Sequence, residues 1–120
     1  MRTLAVIGAN GFVGSAFVRQ TSDRYAVTAI TRDSYAQHKG KRFDIVVDTA
    51  SNSRKYLADG NPSLDFELTV RHRLNVLLDF PDAFHLHVSS VDVYSDLTSW
   101  ATTREDAPID RSRQSRYGFH

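Results

Sequence analysis

Short apolar runs alternate with amphipathic stretches along the chain. From residue 12 to about 22, and again over residues 64–80, apolar side chains recur at helical spacing, and Pro81 ends the second pattern. These stretches predict two amphipathic helices. Runs rich in Val, Ile and Leu predict buried strands at residues 3–7, 26–30, 43–47 and 84–88.

The polar segments between these elements complete the pattern. Residues 33–41 have room for a brief helix, the segment around Gly60 is predicted to be a loop, and residues 95–116 are polar and turn-rich. Strands that alternate with helices are typical of an α/β protein with a parallel sheet. In such sheets ligands bind beyond the carboxyl ends of the strands. Candidate site residues should therefore lie in the segments that follow the strands.

Composition narrows the class of protein. A chain of 120 residues is long enough for one domain, and its net charge of +1 argues against a nucleic-acid or membrane surface. No cysteine is present, and no apolar run approaches the roughly 20 residues that span a bilayer. No metal site is predicted, and we expect a soluble, cytoplasmic protein.

The turn after the first strand carries three glycines, in the sequence GANGFVG. Gly8 permits a sharp exit from the strand, Gly11 lets backbone approach a pyrophosphate, and Gly14 lets the helix pack closely. The helix start would offer N–H groups and a positive dipole end to phosphates. The alternative is a chance set of turn glycines. The predicted cofactor contacts here are Gly8, Asn10, Gly11, Phe12, Val13 and Gly14.

The end of the second strand bears on the choice of cofactor. An acidic residue about 20 positions after the glycines would bind the adenosine ribose of NAD. Arg32 stands at that place, and a guanidinium suits the 2′-phosphate of NADP. Asp33, one residue later, could still bind a ribose. The sequence predicts NAD(P), with a preference for NADP.

Four segments together resemble the extended short-chain dehydrogenase/reductase family, the NAD-dependent epimerase/dehydratases. They are GANGFVG, DIVVDTAS, FHLHVSSVDVYSD and the terminal RYGFH, which is similar to the start of a YxxxK motif. The resemblance implies a Rossmann-like doubly wound sheet that is incomplete at its C-terminal side. Residues 1–120 would be the N-terminal part of an NAD(P)-binding domain, without the substrate domain. Thr49, Ala50 and Ser51 would flank the nicotinamide.

The resemblance also implies the chemistry. Tyr117 would exchange a proton with a substrate alcohol or carbonyl, and Ser90 would hold the substrate oxygen, in an oxidoreductase or isomerase acting on a small molecule such as a nucleotide sugar. The family's activating lysine would follow His120, where the chain ends. We therefore expect little or no turnover by these 120 residues alone.

The chain departs from the family pattern in three further places. The usual strand and helix between the second and third strands are missing, or residues 33–41 replace them in miniature. His72 and Arg73 stand where Gly-Thr is common in the family. They lie on a helix that often packs against its twin in the family's homodimers, so the bulky charged pair bears on that interface. Val91 and Asp92 follow Ser90 instead of the Asp-Glu of sugar 4,6-dehydratases, which favours an epimerase or reductase.

Other candidates have simpler explanations. His85 and His87 share one face of a strand at ligand-like spacing, but packing against a helix explains them better than a metal. Arg71 and Arg73 are predicted to face solvent. Two alternatives to the enzyme stay open: a non-catalytic module that senses a dinucleotide, and a flavodoxin-like domain with accidental glycines.

Overall fold

The computed structural model describes residues 1–120, and a four-stranded parallel sheet with the order β2-β1-β3-β4 organises it. This confirms the predicted α/β class. The first two strands have the predicted bounds, and the other two differ by one or two residues. The strands are β1 (Thr3–Ile7), β2 (Ala26–Ile30), β3 (Ile45–Asp48) and β4 (Phe84–His87).

β3 begins at Ile45, later than predicted, because at its start the Asp44 side chain takes the place of backbone hydrogen bonds to β1. The Asp44 carboxylate accepts hydrogen bonds from the N–H of Thr3 at 2.7 Å and from its hydroxyl at 3.0 Å. These bonds hold the pKa of Asp44 below its usual value. Phe43 lies outside the strand but is still buried in the core.

The chain forms two compact units. The first consists of Met1–Ser51 and His72–Val88, and the second of Asn52–Arg71 and Ser89–His120. The sheet belongs to the first unit, together with three helices. These are α1 (Phe12–Thr21), α2 (Tyr35–His38) and α5 (His72–Asp79).

Two apolar clusters lie on opposite faces of the sheet, as in a doubly wound fold. Successive side chains of a strand point to opposite faces, so β1 contributes Ala5 and Ile7 to one cluster and Leu4 and Val6 to the other. Phe80 is 1% exposed in the first cluster, and burying such a side chain contributes about 1.5–3 kcal/mol. The sheet is thus covered on both faces.

Helix α1 packs on the glycine turn through backbone alone. A Cβ atom on Gly14 would lie 2.1 Å from the carbonyl oxygen of Gly8 and 2.8 Å from the Thr49 hydroxyl. Phe17 and Val18 of the same helix pack against the second apolar cluster. Only glycine at position 14 permits this approach of helix and turn.

The connection from β2 to β3 contains the short helix α2 and no additional strand. The family's extra strand and helix are therefore replaced by one helical turn. Tyr35 of α2 donates a hydrogen bond to Asp79 at 2.7 Å, and its ring packs edge-on against Phe80. These contacts hold the shortened connection against α5.

The second unit corrects the predicted loop around Gly60. A short helix, α3 (Tyr56–Gly60), occupies this segment. Asn61 then caps the next helix by accepting a hydrogen bond from the Leu64 N–H, and Pro62 occupies its first turn. The residues that suggested a loop are the end of one helix and the start of another.

The predicted helix over residues 64–80 is present but not uniform. It begins at α4 (Pro62–Phe66), widens to a π-helix over Glu67–Arg71 and continues as α5. Another helix, α6 (Arg116–Phe119), ends the chain. No helix in the structure combines the length and apolar character needed to cross a membrane.

We expect Gly14→Ala to lower the free energy of unfolding by about 2 kcal/mol or more, because the added methyl group displaces backbone. Gly60→Ala is the matched control, since a Cβ there meets nothing within 4 Å. That control should leave stability unchanged or raise it by up to about 1 kcal/mol. Urea unfolding of both variants measures the difference, and equal stabilities would contradict this account of the turn.

Candidate functional site

The glycine turn reverses the chain within the first unit. Gly8 has a φ of 79°, in the left-handed region that favours glycine. The N–H groups of Gly8 and Ala9 both donate to the carbonyl of Ile30 at the end of β2, at 3.0 and 3.2 Å. Gly11 N–H donates to the carbonyl of Gly8 at 2.9 Å. The turn is therefore closed on itself and tied to β2.

The amino end of α1 lacks a side-chain cap. Gly11 is the N-cap residue, and the first turn contains no Asp or Glu. N–H groups of a first helical turn have no partner within the helix. Asn10, Phe12 and Val13 around this end are exposed, and Phe12 is 94% exposed. These residues fit the pyrophosphate of a dinucleotide, which needs free N–H donors, the positive end of a helix dipole and no competing carboxylate.

Arg32 and Asp33 follow β2, at the same edge of the sheet as the glycine turn. Both are exposed. The segment is ordered by its neighbours, because Ser34 Oγ accepts from the Thr31 N–H at 3.0 Å. Both residues therefore lie directly after the strand, and their roles toward a cofactor stay predictions.

The segment Thr49, Ala50, Ser51 follows β3 and borders the glycine turn. Thr49 Oγ1 donates to the carbonyl of Ile7 at 2.7 Å. A Cβ on Gly8 would lie 3.0 Å from the Ala50 nitrogen. Three of the predicted cofactor-binding segments therefore meet at one edge of the sheet: the glycine turn, the end of β2 and the end of β3.

A buried polar cluster at the end of β3 was missed by sequence reasoning. Asp48 is fully buried and accepts hydrogen bonds from the Ala50 N–H at 3.0 Å and from His72 Nε2 at 2.9 Å. Arg73 Nη1 donates to the other carboxylate oxygen at 3.0 Å. The prediction that Arg73 faces solvent is wrong, since its side chain is 19% exposed. The available signal was an aspartate ending an otherwise apolar strand.

His85 and His87 lie on β4 with their rings stacked, 5.9 Å between centroids. His85 Nε2 bonds to the carbonyl of Phe80 at 2.8 Å, and His87 Nδ1 lies 3.0 Å from Arg73 Nη1. Partial burial, then the nearby Arg73 charge, lowers the pKa of His87. A neutral His87 therefore accepts a hydrogen bond from Arg73.

Ser90 and Tyr117 belong to the second unit, on two elements that pack together. Ser90 caps a 3₁₀ turn (Val91–Val93) by accepting from the Asp92 N–H at 3.2 Å. Tyr117 lies on α6, which packs so closely on that turn that a Cβ on Gly118 would be 1.8 Å from the Asp92 carbonyl oxygen. The two predicted catalytic hydroxyls are thus carried by adjacent elements.

Each of these hydroxyls has a protein partner. Tyr117 donates to the backbone carbonyl of Asn52 at 3.0 Å. Ser90 Oγ lies 3.4 Å from Asp92 Oδ2, and Lys55 forms an ion pair with the other Asp92 oxygen at 2.8 Å. A substrate oxygen that accepts a hydrogen bond from either hydroxyl has to displace an acceptor that the protein already supplies.

A second buried carboxylate, Asp65, is linked to Tyr117 through Asn52. Asn52 Nδ2 and His120 Nδ1 each lie 2.5 Å from one of its oxygens. The Tyr117 hydroxyl donates to the backbone carbonyl of Asn52, so this residue links the carboxylate to the tyrosine through two different groups. The sequence offered no periodic signal for this network, because its members lie far apart along the chain.

Comparison with known proteins identifies relatives of this arrangement. The model of the NAD dependent epimerase/dehydratase family matches residues 4–120. A UDP-galactose 4-epimerase has a similar structure, with 24% identity and a TM-score of 0.76, and Pal from Bacillus thuringiensis has 16% identity and a TM-score of 0.73. Both similarities cover 97% of this chain but only 46% and 47% of the solved chains, and at these identities they show the fold alone. No curated protein sequence matches the chain significantly.

The lowered pKa of His87 predicts a pH dependence of stability. The histidine side chain has a pKa of about 6.5 in an unfolded chain, and the pKa of His87 is lower in the folded protein. Between these two pKa values the unfolded chain binds a proton at His87 that the folded protein does not bind, and this favours unfolding. His87 therefore contributes stability that is complete above the unfolded-state pKa and is lost as the pH falls through its folded-state pKa.

We expect His87→Gln to lose less stability than the wild type between about pH 7.5 and about pH 5.5, because glutamine does not titrate but can still accept from Arg73. Urea unfolding at both pH values measures this. The other histidines are common to both proteins, so equal losses would show that His87 does not contribute.

Proposed function

Because the chain belongs to the NAD dependent epimerase/dehydratase family, we propose that it binds NAD(P), preferring NADP, for chemistry on a nucleotide sugar. The observation that carries the proposal is the uncapped amino end of α1, held directly over the Gly8 carbonyl. Family membership removes the flavodoxin-like alternative. The proposed domain is the N-terminal, dinucleotide-binding part of such an enzyme. A cytoplasmic location and a homodimer stay predictions from the sequence.

The pyrophosphate would lie against the first turn of α1. Gly11 carries no side chain there, and a Cβ at this position would meet only the Gly8 carbonyl, at 3.2 Å. The backbone N–H groups of Phe12, Val13 and Gly14 begin the helix and have no intrahelical acceptors. An anion bound here gains these donors and the positive helix end.

The adenosine end would lie beside the segment that follows β2. Arg32 is exposed at this edge of the sheet, and its planar guanidinium can pair with a phosphate through two hydrogen bonds. Asp33 would accept from a ribose hydroxyl. The preference for NADP rests on Arg32.

The proposed catalytic groups are Ser90 and Tyr117. A bound nicotinamide would supply the hydride chemistry at the substrate carbon. Tyr117 would exchange the proton of the substrate oxygen, and Ser90 would hold that oxygen by a hydrogen bond. In the structure the Tyr117 hydroxyl donates to the backbone carbonyl of Asn52, so donation to a substrate oxygen would require it to leave this acceptor.

A nucleotide sugar is the proposed substrate class. The similarity to a UDP-galactose 4-epimerase supports it, although this chain spans less than half of that structure. The three lysines of the chain are Lys39, Lys41 and Lys55, and none lies near Tyr117 in sequence. We therefore propose that the 120 residues bind the cofactor without turning over a substrate.

The hydroxyls of Ser90 and Tyr117 already form hydrogen bonds within the protein. This favours a second candidate function, a non-catalytic module that senses a dinucleotide. Ser90 caps a turn and Tyr117 ties α6 to Asn52, and both are ordinary structural contacts. Such a module would keep the glycine turn and use the second unit for another purpose. A catalytic test separates the two candidates.

We expect Arg32→Asp to weaken NADPH binding by about tenfold while leaving NADH binding within about twofold, since the lost contact is to the 2′-phosphate. Arg42→Asp is the matched control. It makes the same change of charge at a side chain that is 89% exposed and precedes β3, at the opposite end of that strand from the site. Isothermal titration measures the affinities, and an unchanged preference in Arg32→Asp would remove Arg32 from the proposal.

We expect the 120-residue chain to interconvert no UDP-galactose and UDP-glucose when NAD⁺ or NADP⁺ is supplied. The reason is that no lysine follows Tyr117 within the next helical turn of these 120 residues to assist proton exchange at its hydroxyl. Proton NMR of the sugar anomeric signals follows the reaction. Turnover that disappears in Tyr117→Phe would contradict the inactivity and would establish the tyrosine as catalytic.

A further inference from the structure

We propose that Arg73 and Asp48 are positioning residues that hold the segment Thr49, Ala50, Ser51 in the shape that a dinucleotide needs. The inference rests on the proposed cofactor site. It concerns two residues whose side-chain hydrogen bonds go to residues outside the glycine turn and which, by this proposal, do not bind the cofactor themselves. Their influence would pass through one backbone N–H group.

The guanidinium of Arg73 joins the carboxyl ends of two strands. On β3 it donates to the carboxylate of Asp48 at 3.0 Å and to the backbone carbonyl of the same residue at 3.2 Å. At the end of β4 it lies 3.0 Å from His87 Nδ1 and donates to the carbonyl of Val88 at 2.5 Å. Nη1 shares its two hydrogens among the acceptors of Asp48 and His87, while Nη2 donates to Val88, so contacts at both nitrogens orient the planar group.

Asp48 transmits this orientation to the loop. Its Oδ1 accepts from the N–H of Ala50 at 3.0 Å, which turns the backbone immediately after β3. The same backbone touches the glycine turn, because the Ala50 nitrogen and the Thr49 hydroxyl lie 3.0 and 2.7 Å from where a Gly8 Cβ would be. A shift of the carboxylate therefore moves atoms that border the turn.

Electrostatics makes the pair interdependent. Asp48 is fully buried, and an ionised carboxylate in that environment requires a cation and hydrogen bonds. Arg73 supplies a permanent charge, while His72, whose side chain is 24% exposed, supplies a further hydrogen bond at 2.9 Å. Since His87 accepts from Arg73, the guanidinium is held from the β4 side as well.

The test compares Arg73→Met, Arg73→Lys and the matched control Arg71→Met. Arg71 lies two residues earlier, is 52% exposed and pairs only loosely with Glu67, at 3.8 Å. Urea unfolding curves first establish a temperature at which every variant is fully folded without urea. NADPH affinity is then measured by titration at that temperature. We expect Arg73→Met to raise the Kd about tenfold, Arg73→Lys to recover part of the loss and Arg71→Met to stay within about twofold.

Asp48→Asn provides a second route if Arg73→Met does not fold. It replaces the buried carboxylate by a neutral amide, so the charge that loses its partner is that of Arg73, whose side chain is 19% exposed and still bonds to His87 and Val88. We expect a similar rise in the Kd. If every folded variant loses stability but binds NADPH like the wild type, the pair serves stability alone and the proposal is overturned.

Nuclear magnetic resonance separates this proposal from the cofactor site on which it rests. The Ala50 amide of the wild type should exchange slowly with solvent, because it donates to Asp48, and should exchange faster in Asp48→Asn or Arg73→Met. If the wild type binds no dinucleotide but this change occurs, the proposed function fails while the control of the loop by the pair stands. If the Ala50 amide is unaffected, the positioning role is wrong.

Discussion

The close approach of helix α1 to the Gly8 carbonyl determines the geometry of the candidate cofactor site in the first unit. Backbone touches backbone there, and no side chain fits at position 14, where a Cβ would lie 2.1 Å from the oxygen. The helix start is consequently held over the end of β1, next to the segment that follows β3. Its unpaired N–H groups and the three candidate cofactor segments are brought together by this one approach.

Two buried carboxylates organise the polar parts of the chain. Asp48 in the first unit is held by Arg73 and hydrogen-bonds to the loop after β3. Asp65 in the second unit is held by Asn52 and His120, and Asn52 also receives the Tyr117 hydroxyl. Both carboxylates are fully buried, so each requires hydrogen-bond partners, and the partners named here belong to its own unit. In each unit, the buried charge fixes residues proposed here to act on cofactor or substrate.

Hydrophobic periodicity was sufficient to predict β1, β2 and α1, because each combines a clear apolar pattern with a local end signal. Sequence-based prediction failed where the same residue type occurs in two structural contexts. Gly60, Asn61 and Pro62 suggested a loop, but they end α3 and cap α4. Arg73 was assigned to solvent because arginine usually is exposed, whereas its partner Asp48 lies 25 residues earlier. Neither local composition nor spacing reports such a distant pair, which only the folded sheet brings together.

If the glycine turn binds the pyrophosphate of a nicotinamide dinucleotide, the backbone amides of the turn should report the binding. The measurement is a titration of NADPH and of NADH into the ¹⁵N-labelled chain, followed at every backbone amide. We expect saturable binding, with the largest shifts at Asn10, Gly11, Phe12, Val13 and Gly14, whose N–H groups surround the start of α1. Two results would contradict binding at the glycine turn. One is no saturable binding at millimolar dinucleotide, which corresponds to a binding free energy weaker than roughly −4 kcal/mol. The other is a set of shifts confined to other segments.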